Sequence, residues 1–231
     1  MEIGEIISDS VKYPSSDWTK IIILAVILLI PIVNFIGLGY ILRIIKATLA
    51  GLNELPDFDE VGDMFIDGLK VLIVGIVYAI PIWIIAAIIG AIIGVVSPAA
   101  TTYYVGADAT AMIGGMIASY AVLLIVALIV GLIEIIAIAN MAYYDGDIGA
   151  AFHFSDILNY IATIGWGKYL IVYITIAIIG AVISILAMFI GLLLLFVGVF
   201  ITMPLAMSYI YMFGSRAIAM LFADALAETP V

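Results

Sequence analysis

From Tyr169 to Ser215 the chain runs 47 residues without one charged side chain. One bilayer crossing needs roughly 20 apolar residues, so the run exceeds any ordinary core helix and is long enough to cross a membrane and return. With 67% hydrophobic and 10% charged residues, the chain reads as an integral membrane protein with the lipid bilayer as its principal partner. Apolar runs and short connections take up nearly all 231 residues, which predicts a single membrane domain over 1–231 and no separate soluble domain. Any catalysis is thereby confined to the membrane or its edge.

The first apolar stretch begins only at Ile21, and Glu2, Glu5 and Asp9 before it are the opposite of the basic n-region of a secretory signal, so the N-terminus is expected to belong to the mature protein. There is no cysteine, which removes disulfides, thiolate metal sites and cysteine nucleophiles. Seventeen acids against seven bases, with a pI near 4.2, argue against nucleic acid as a partner, because phosphate binding needs clustered Lys and Arg.

Two segments share one pattern. Glu2, Gly4, Glu5, Asp9 and Lys12 align with Glu60, Gly62, Asp63, Asp67 and Lys70, with apolar residues filling the positions between. At 100° per residue the charges fall on one face and the apolar positions on the other, which predicts amphipathic helices lying in the membrane interface. A weaker third copy opens at Asp147, Ile148 and Gly149 and continues through Phe152, Asp156, Leu158 and Ile161 toward Trp166 and Lys168. The expected fold is all-α: five to six membrane segments in three hairpin units, about 1–50, 58–140 and 146–216, each led by an amphipathic interfacial helix.

Charge orders the topology. The apolar stretches are Ile21 to Ile45, Leu69 to Val96, Ala111 to Ala139 and the long run, which is expected to divide near Phe189 and Gly191. A single crossing by Ile21 to Ile45 would put Lys12 and Lys20 opposite Lys46 and Lys70. If that stretch turns at Pro31 to Gly37 and comes back, all seven bases share one side and the other side holds only Asp108. The positive-inside rule favours the second arrangement, with both termini cytoplasmic in a multi-pass protein of the cell membrane. Each arm is then short, roughly 20 to 24 Å at 1.5 Å per residue, so the first unit reads as a re-entrant or thin hairpin flanked by the other helices.

The segment Gly39, Tyr40, Arg43, Gly51, Leu55, Pro56, Phe58, Gly68, Tyr78, Pro81 resembles an archaeal and bacterial membrane family known as domain of unknown function 4013. Ala151, Phe152, Phe154, Asp156 and Trp166 are similar to a second signature of that family, so the likeness covers most of the chain. The resemblance implies a membrane protein and brings no reaction, cofactor or site.

Local motifs carry little chemistry. Gly167 and Lys168 lack the Ser or Thr that must follow in a phosphate loop, so no nucleotide partner is implied. His153 is the sole histidine and cannot build a zinc site of usual composition. Neither His-Glu-x-x-His nor an intramembrane Gly-Asp protease pattern occurs. No catalytic, cofactor-binding or metal-binding residue is therefore nominated, and a non-enzyme is expected. Ala86, Gly90 and Gly94, and Gly115 with Ser119, recur at four-residue spacing, as helix packing or an oligomer face would need. Pro81 and Pro204 are expected to kink their helices. Trp18, Trp166, Tyr103, Tyr104, Tyr143 and Tyr144 flank apolar runs as interfacial anchors.

Glu134 is the most informative polar residue. It lies nine residues before Tyr143, roughly 13 Å inside the interface, where an acid costs on the order of 2.5 to 3.5 kcal/mol. Arg43 and Arg216 hold corresponding places near the inner ends of returning helices. Glu134, Arg43 and Arg216 thus form a candidate buried polar cluster, either a clamp joining three units or part of a proton or ion route. The leading functional expectation is a scaffold or accessory subunit in a homo-oligomer or larger membrane complex. The alternative is a small-solute or ion transporter using Glu134, and an intramembrane enzyme ranks third.

Overall fold

The computed structural model describes residues 1–103 and 109–228, and every regular element among them is helical. Tyr104 and Asp108, both named above, lie outside the described residues. The helices are α1 (Ile3–Lys12), α2 (Trp18–Leu29), α3 (Asn34–Leu49), α4 (Val61–Tyr103), α5 (Ala109–Tyr143), α6 (Phe154–Ile164), α7 (Trp166–Leu193) and α8 (Val199–Glu228). Single turns of 3₁₀ helix at Pro14–Ser16 and Ile148–Phe152 precede α2 and α6.

The boundaries follow from local chemistry. Glu5 reaches back to accept from the Glu2 backbone N–H at 3.2 Å, closing a capping box at the start of α1. Asp17 caps α2 by accepting from the N–H groups of Thr19 at 2.9 Å and Lys20 at 3.4 Å. Pro31 stops α2, and Gly165, at φ +83°, ends α6 where a side chain would be strained.

Four helical stretches are long and apolar enough to cross a membrane: Val61–Ile92, Ile113–Tyr143, Trp166–Leu193 and Val199–Glu228. At 12 and 16 residues, α2 and α3 are too short to count among them. α4 runs on through Pro81 and α8 through Pro204 without a break. The charge-free run divides at residues 194–198, a few residues beyond the Phe189 to Gly191 position expected from the sequence.

By internal contacts the chain falls into two units. The first comprises Met1–Ile73 and Ile135–Val231, the second Val74–Glu134. In the first unit α8 is the hub, packing against α7, α3, α2, α1 and α6. Its second half is buried on nearly every side, with Met212, Phe213, Ala217, Ala219, Leu221 and Phe222 inaccessible. Small residues let surrounding helices approach closely there, and Tyr160 of α6 meets Phe222 edge to face at 4.8 Å. The sequence reading ended its last unit at 216 and missed this continuation of the helix.

Two expectations about interfacial helices need correction. Glu60 to Lys70 is not a separate helix, because α4 begins at Val61 and continues without interruption. α1 does segregate its faces, but its buried residues Ile6 and Ser10 are covered by protein. α1 lies on α8 and α7, where the Ser10 hydroxyl reaches the Met220 sulfur at 3.7 Å and the Tyr209 hydroxyl donates to the Val11 carbonyl. An apolar face occupied by α8 cannot also lie in lipid.

In the second unit α4 and α5 expose large apolar side chains on many sides, among them Ile80, Trp83, Ile88, Ile117, Tyr120 and Leu124. A helix apolar all round needs an apolar surrounding, and this is the composition of a lipid-facing span. A Cβ added at Gly90 or Gly115 would meet no atom within 4 Å, so among the described residues these small residues do not serve close packing.

Candidate functional site

The feature with most polar structure is the connection from α3 to α4, residues 51–60. Side chains from three helices and the turn after α1 hold it down, chiefly by donating to its backbone carbonyls. The Tyr13 hydroxyl donates to Glu54 O at 3.0 Å, Lys20 Nζ to Leu55 O at 2.6 Å and the Tyr40 hydroxyl to Pro56 O at 2.8 Å. Arg43 Nη1 donates to the carbonyls of Asp57 and Asp59, both at 3.1 Å. Arg216 Nη1 donates to Leu52 O at 2.7 Å.

Apolar contacts seat the same segment. Leu55 is buried in a core with Tyr13, Ile21, Leu24, Tyr40 and Met64. The Phe58 ring stacks on Tyr40 with centroids 4.0 Å apart and planes 11° from parallel. A linker this rich in acids would ordinarily be solvated and loose; the interleaved Leu55, Pro56 and Phe58 fix it instead. They were the signal in the sequence, legible there only as part of the family likeness.

Arg216 is the most buried charge among the described residues, only 4% exposed. Its Nε donates to Asp9 Oδ1 at 2.9 Å, Nη1 also reaches Thr48 Oγ1 at 3.3 Å, and Nη2 donates to Asn53 Oδ1 at 2.7 Å. The guanidinium also sits 4.8 Å from the Tyr13 ring centroid. A planar fork of five donors can satisfy this many acceptors at once, whereas a lysine cannot. Tyr13 is pushed up to about 12, chiefly by burial, and remains a neutral donor under ordinary conditions.

Most of the other bases also pair with acids. Arg43 pairs with Asp59 and, at 3.0 Å, with Glu60, whose φ of +49° is an unusual conformation held at the start of α4. Lys20 pairs with Asp57 at 2.7 Å, and this hydrogen bond holds the Asp57 carboxyl below its usual range. Lys46 and Lys70 share Asp67, at 3.1 and 2.9 Å, and Lys46 also meets Asp145 at 3.3 Å. Lys168 pairs with Asp224 across α7 and α8. Among the described residues six of the seven bases have an acidic partner, Lys12 being the exception.

The three residues of the expected cluster divide between the units. Arg43 and Arg216 belong to the first, where Asp59, Glu60 and Asp9 are carboxylate partners that the sequence reading did not name. Glu134 closes the second, facing Gly75 across α4 and α5, with its Oε1 3.3 Å from where a Cβ on Gly75 would stand. A larger residue at 75 would crowd the carboxylate. His153 is exposed, with Nδ1 3.7 Å from Asp156 Oδ2. Among the described residues no three His, Asp or Glu side chains are grouped as a metal site requires.

Beside the pinned segment lies an open depression of about 510 Å³, lined by Ala47, Gly51, Asn53, Glu54, Pro56 and Asp57. It contains no nucleophile and base at bonding distance. What the arrangement can do is present an acidic, rigid surface with exposed Leu52 at its edge.

Comparison with protein families places the chain. A family model described as protein of unknown function, DUF4013, matches residues 23–192, a span that includes both the pinned segment and Glu134. No curated protein and no solved structure matches the chain.

Proposed function

Because the chain belongs to the DUF4013 family of proteins of unknown function, we propose its role from geometry: a non-enzymatic polytopic membrane protein, acting as a scaffold or accessory subunit. One observation carries the reading. Six of the seven cations are spent internally, on loop carbonyls and neighbouring carboxylates, while Glu54 and Asp63 beside them are exposed and take part in none of those ion pairs. Such a surface repels anionic headgroups and nucleic acid and complements a basic protein segment.

The topology we propose with it has three helical hairpins, α2–α3, α4–α5 and α7–α8, and a polar end in the first unit. The concentration of Lys and Arg at that end supports a cytoplasmic placement and cytoplasmic termini, by the positive-inside rule, in the cell membrane. The internal repeat is part of this proposal: three hairpins, with α1 and α6 as packed helices before the first and last.

Native pull-down in mild detergent tests the role. The full chain is expected to retain a specific partner that is lost at high salt and lost in the combined Glu54→Gln, Asp63→Asn, Leu52→Ser variant, with folding unchanged. Equal recovery from wild type and variant would reject the acidic-surface reading. A second reading, a transporter or channel, is favoured by Glu134 standing inside an apolar span opposite Gly75. A defined homo-oligomer with a water-filled axis, and no partner, would support it.

A further inference from the structure

We propose that the turn joining α7 to α8 is seated among the acyl chains of the leaflet farthest from the polar end and does not reach the aqueous phase; this rests on the membrane reading above. Turns at a membrane surface ordinarily carry polar residues that water solvates. Here the turn reads Leu194, Leu195, Phe196, Val197, Gly198, and Leu195, Phe196 and Val197 are 85%, 72% and 68% exposed. No described part of the chain covers them.

Most of the backbone of this turn is paired within the turn itself, which reduces what it would lose in a medium without water. The N–H of Leu194 donates to Ile190 O, Val197 to Leu195 O, Gly198 to Leu194 O, Val199 to Phe196 O and Phe200 to Val197 O, at 2.7–3.2 Å. Thr202 closes the helix pair by donating its hydroxyl to Ala187 O at 2.7 Å. Only a segment that satisfies its polar groups internally is tolerated in hydrocarbon. To make this tight reversal, Leu195 and Phe196 adopt φ of +58° and +63°, a region side chains rarely enter. Gly191 and Gly198 abut so closely that a Cβ on Gly198 would lie 2.8 Å from Gly191 O.

Depth agrees. Eighteen residues separate Gly198 from Arg216, the buried charge at the polar end, or about 27 Å of helix. A hydrocarbon core is about 30 Å thick, so the turn ends at or just inside its far boundary. The α2–α3 turn is built alike. Trp18 and Ile21 of α2 share a groove with Leu205, Ala206 and Tyr209 of α8, and eight more residues carry α2 to Leu29, toward the level where α8 begins. Ile30, Pro31 and Ile32 at its apex are exposed and apolar as well.

The chain has no native cysteine, so single-cysteine variants of the full protein in sealed vesicles test this directly. Leu195→Cys and Val197→Cys are expected to resist a membrane-impermeant maleimide added from either side, and to react after detergent. Asn53→Cys should label from one side of intact vesicles. Nitroxides on the same two positions should be quenched by oxygen and not by a water-soluble nickel chelate. Labelling of either turn variant in sealed vesicles overturns the proposal. Shielding from both maleimide and oxygen also overturns it, by showing a protein partner over the turn. If alkaline carbonate strips the protein from vesicles, the membrane reading itself fails.

Discussion

Gly39 of α3 and Gly68 of α4 each press against the other helix's backbone: a Cβ on Gly39 would lie 1.8 Å from Met64 O, and one on Gly68 1.8 Å from Phe35 O. The two helices meet with no side chain between them, and this contact fixes where α4 departs after the pinned segment. Close backbone approach of this kind is open only to glycine. Both glycines belong to the family likeness noted from the sequence, and the crossing supplies its physical reason.

Gly39→Ala and Gly68→Ala are therefore expected to lose at least about 3 kcal/mol each, because the obstruction is backbone and cannot rotate aside. Gly62→Ala is the control, since a Cβ there meets nothing within 4 Å. In a helix it should be neutral or stabilising by about 0.5–1 kcal/mol. Thermal unfolding in detergent, read by size-exclusion fluorescence, ranks the three; equal behaviour would refute the crossing.

Arg216 is expected to be irreplaceable by lysine. Removing a buried guanidinium with an acid and three neutral acceptors around it costs on the order of 3–5 kcal/mol. Arg216→Lys keeps the charge and loses the fork, so Leu52 O or Asn53 Oδ1 goes unpaired. The resulting loosening should be read at the loop: glutamyl endopeptidase is expected to cut after Glu54 faster in Arg216→Lys than in wild type. Unchanged cleavage would show that Arg216 does not hold the segment.

The helical class and the helices long and apolar enough to cross a membrane were legible in the sequence, because hydropathy acts over long windows. Arg43 and Arg216 were singled out in the sequence, but their partners were not. Asp9 lies 207 positions from Arg216, and nothing in the spacing of Asp9, Thr48 and Asn53 announces that they converge. The α1 face was legible as amphipathic, yet periodicity cannot distinguish lipid from α8 as its cover. The second half of α8 went unread because it alternates small, apolar and charged residues, the pattern of a helix buried by others. Continuity of α4 through residues 60–70 was hidden by the apparent repeat.

Tyr13 predicts an alkaline weakness. Its ordinary value of 10.0 is raised to about 12, first by burial and then by Asp9, against an opposing influence from Arg216. A raised folded value means that the neutral phenol stabilises the fold: the contribution is complete below about pH 10 and falls away as pH rises toward 12. Roughly 2 kcal/mol should be lost across that window. Tyr13→Phe lacks the hydrogen bond to Glu54 O and starts less stable, but this part of its pH dependence should vanish. Parallel melting curves for the two proteins between pH 9 and 12 would contradict the assignment.

Glu134 separates the structural from the transport reading. An acid inside an apolar span is retained at a cost of a few kcal/mol, and Gly75 leaves the space it occupies. If the carboxyl serves structure, Glu134→Leu, which removes it, should lower stability in detergent. Under the scaffold reading it should also leave partner capture unchanged. Under the transport reading Glu134→Gln should fold and capture normally yet abolish any proton or cation flux in liposomes, because an amide cannot exchange a proton. Gly75→Ala refines the choice. Its methyl would sit 3.3 Å from Oε1 and must displace the carboxylate by a few tenths of an ångström. A transport site should lose rate with little loss of stability, whereas a packing site should lose about 1 kcal/mol or more. Flux that persists in Glu134→Gln would remove Glu134 from any transport route.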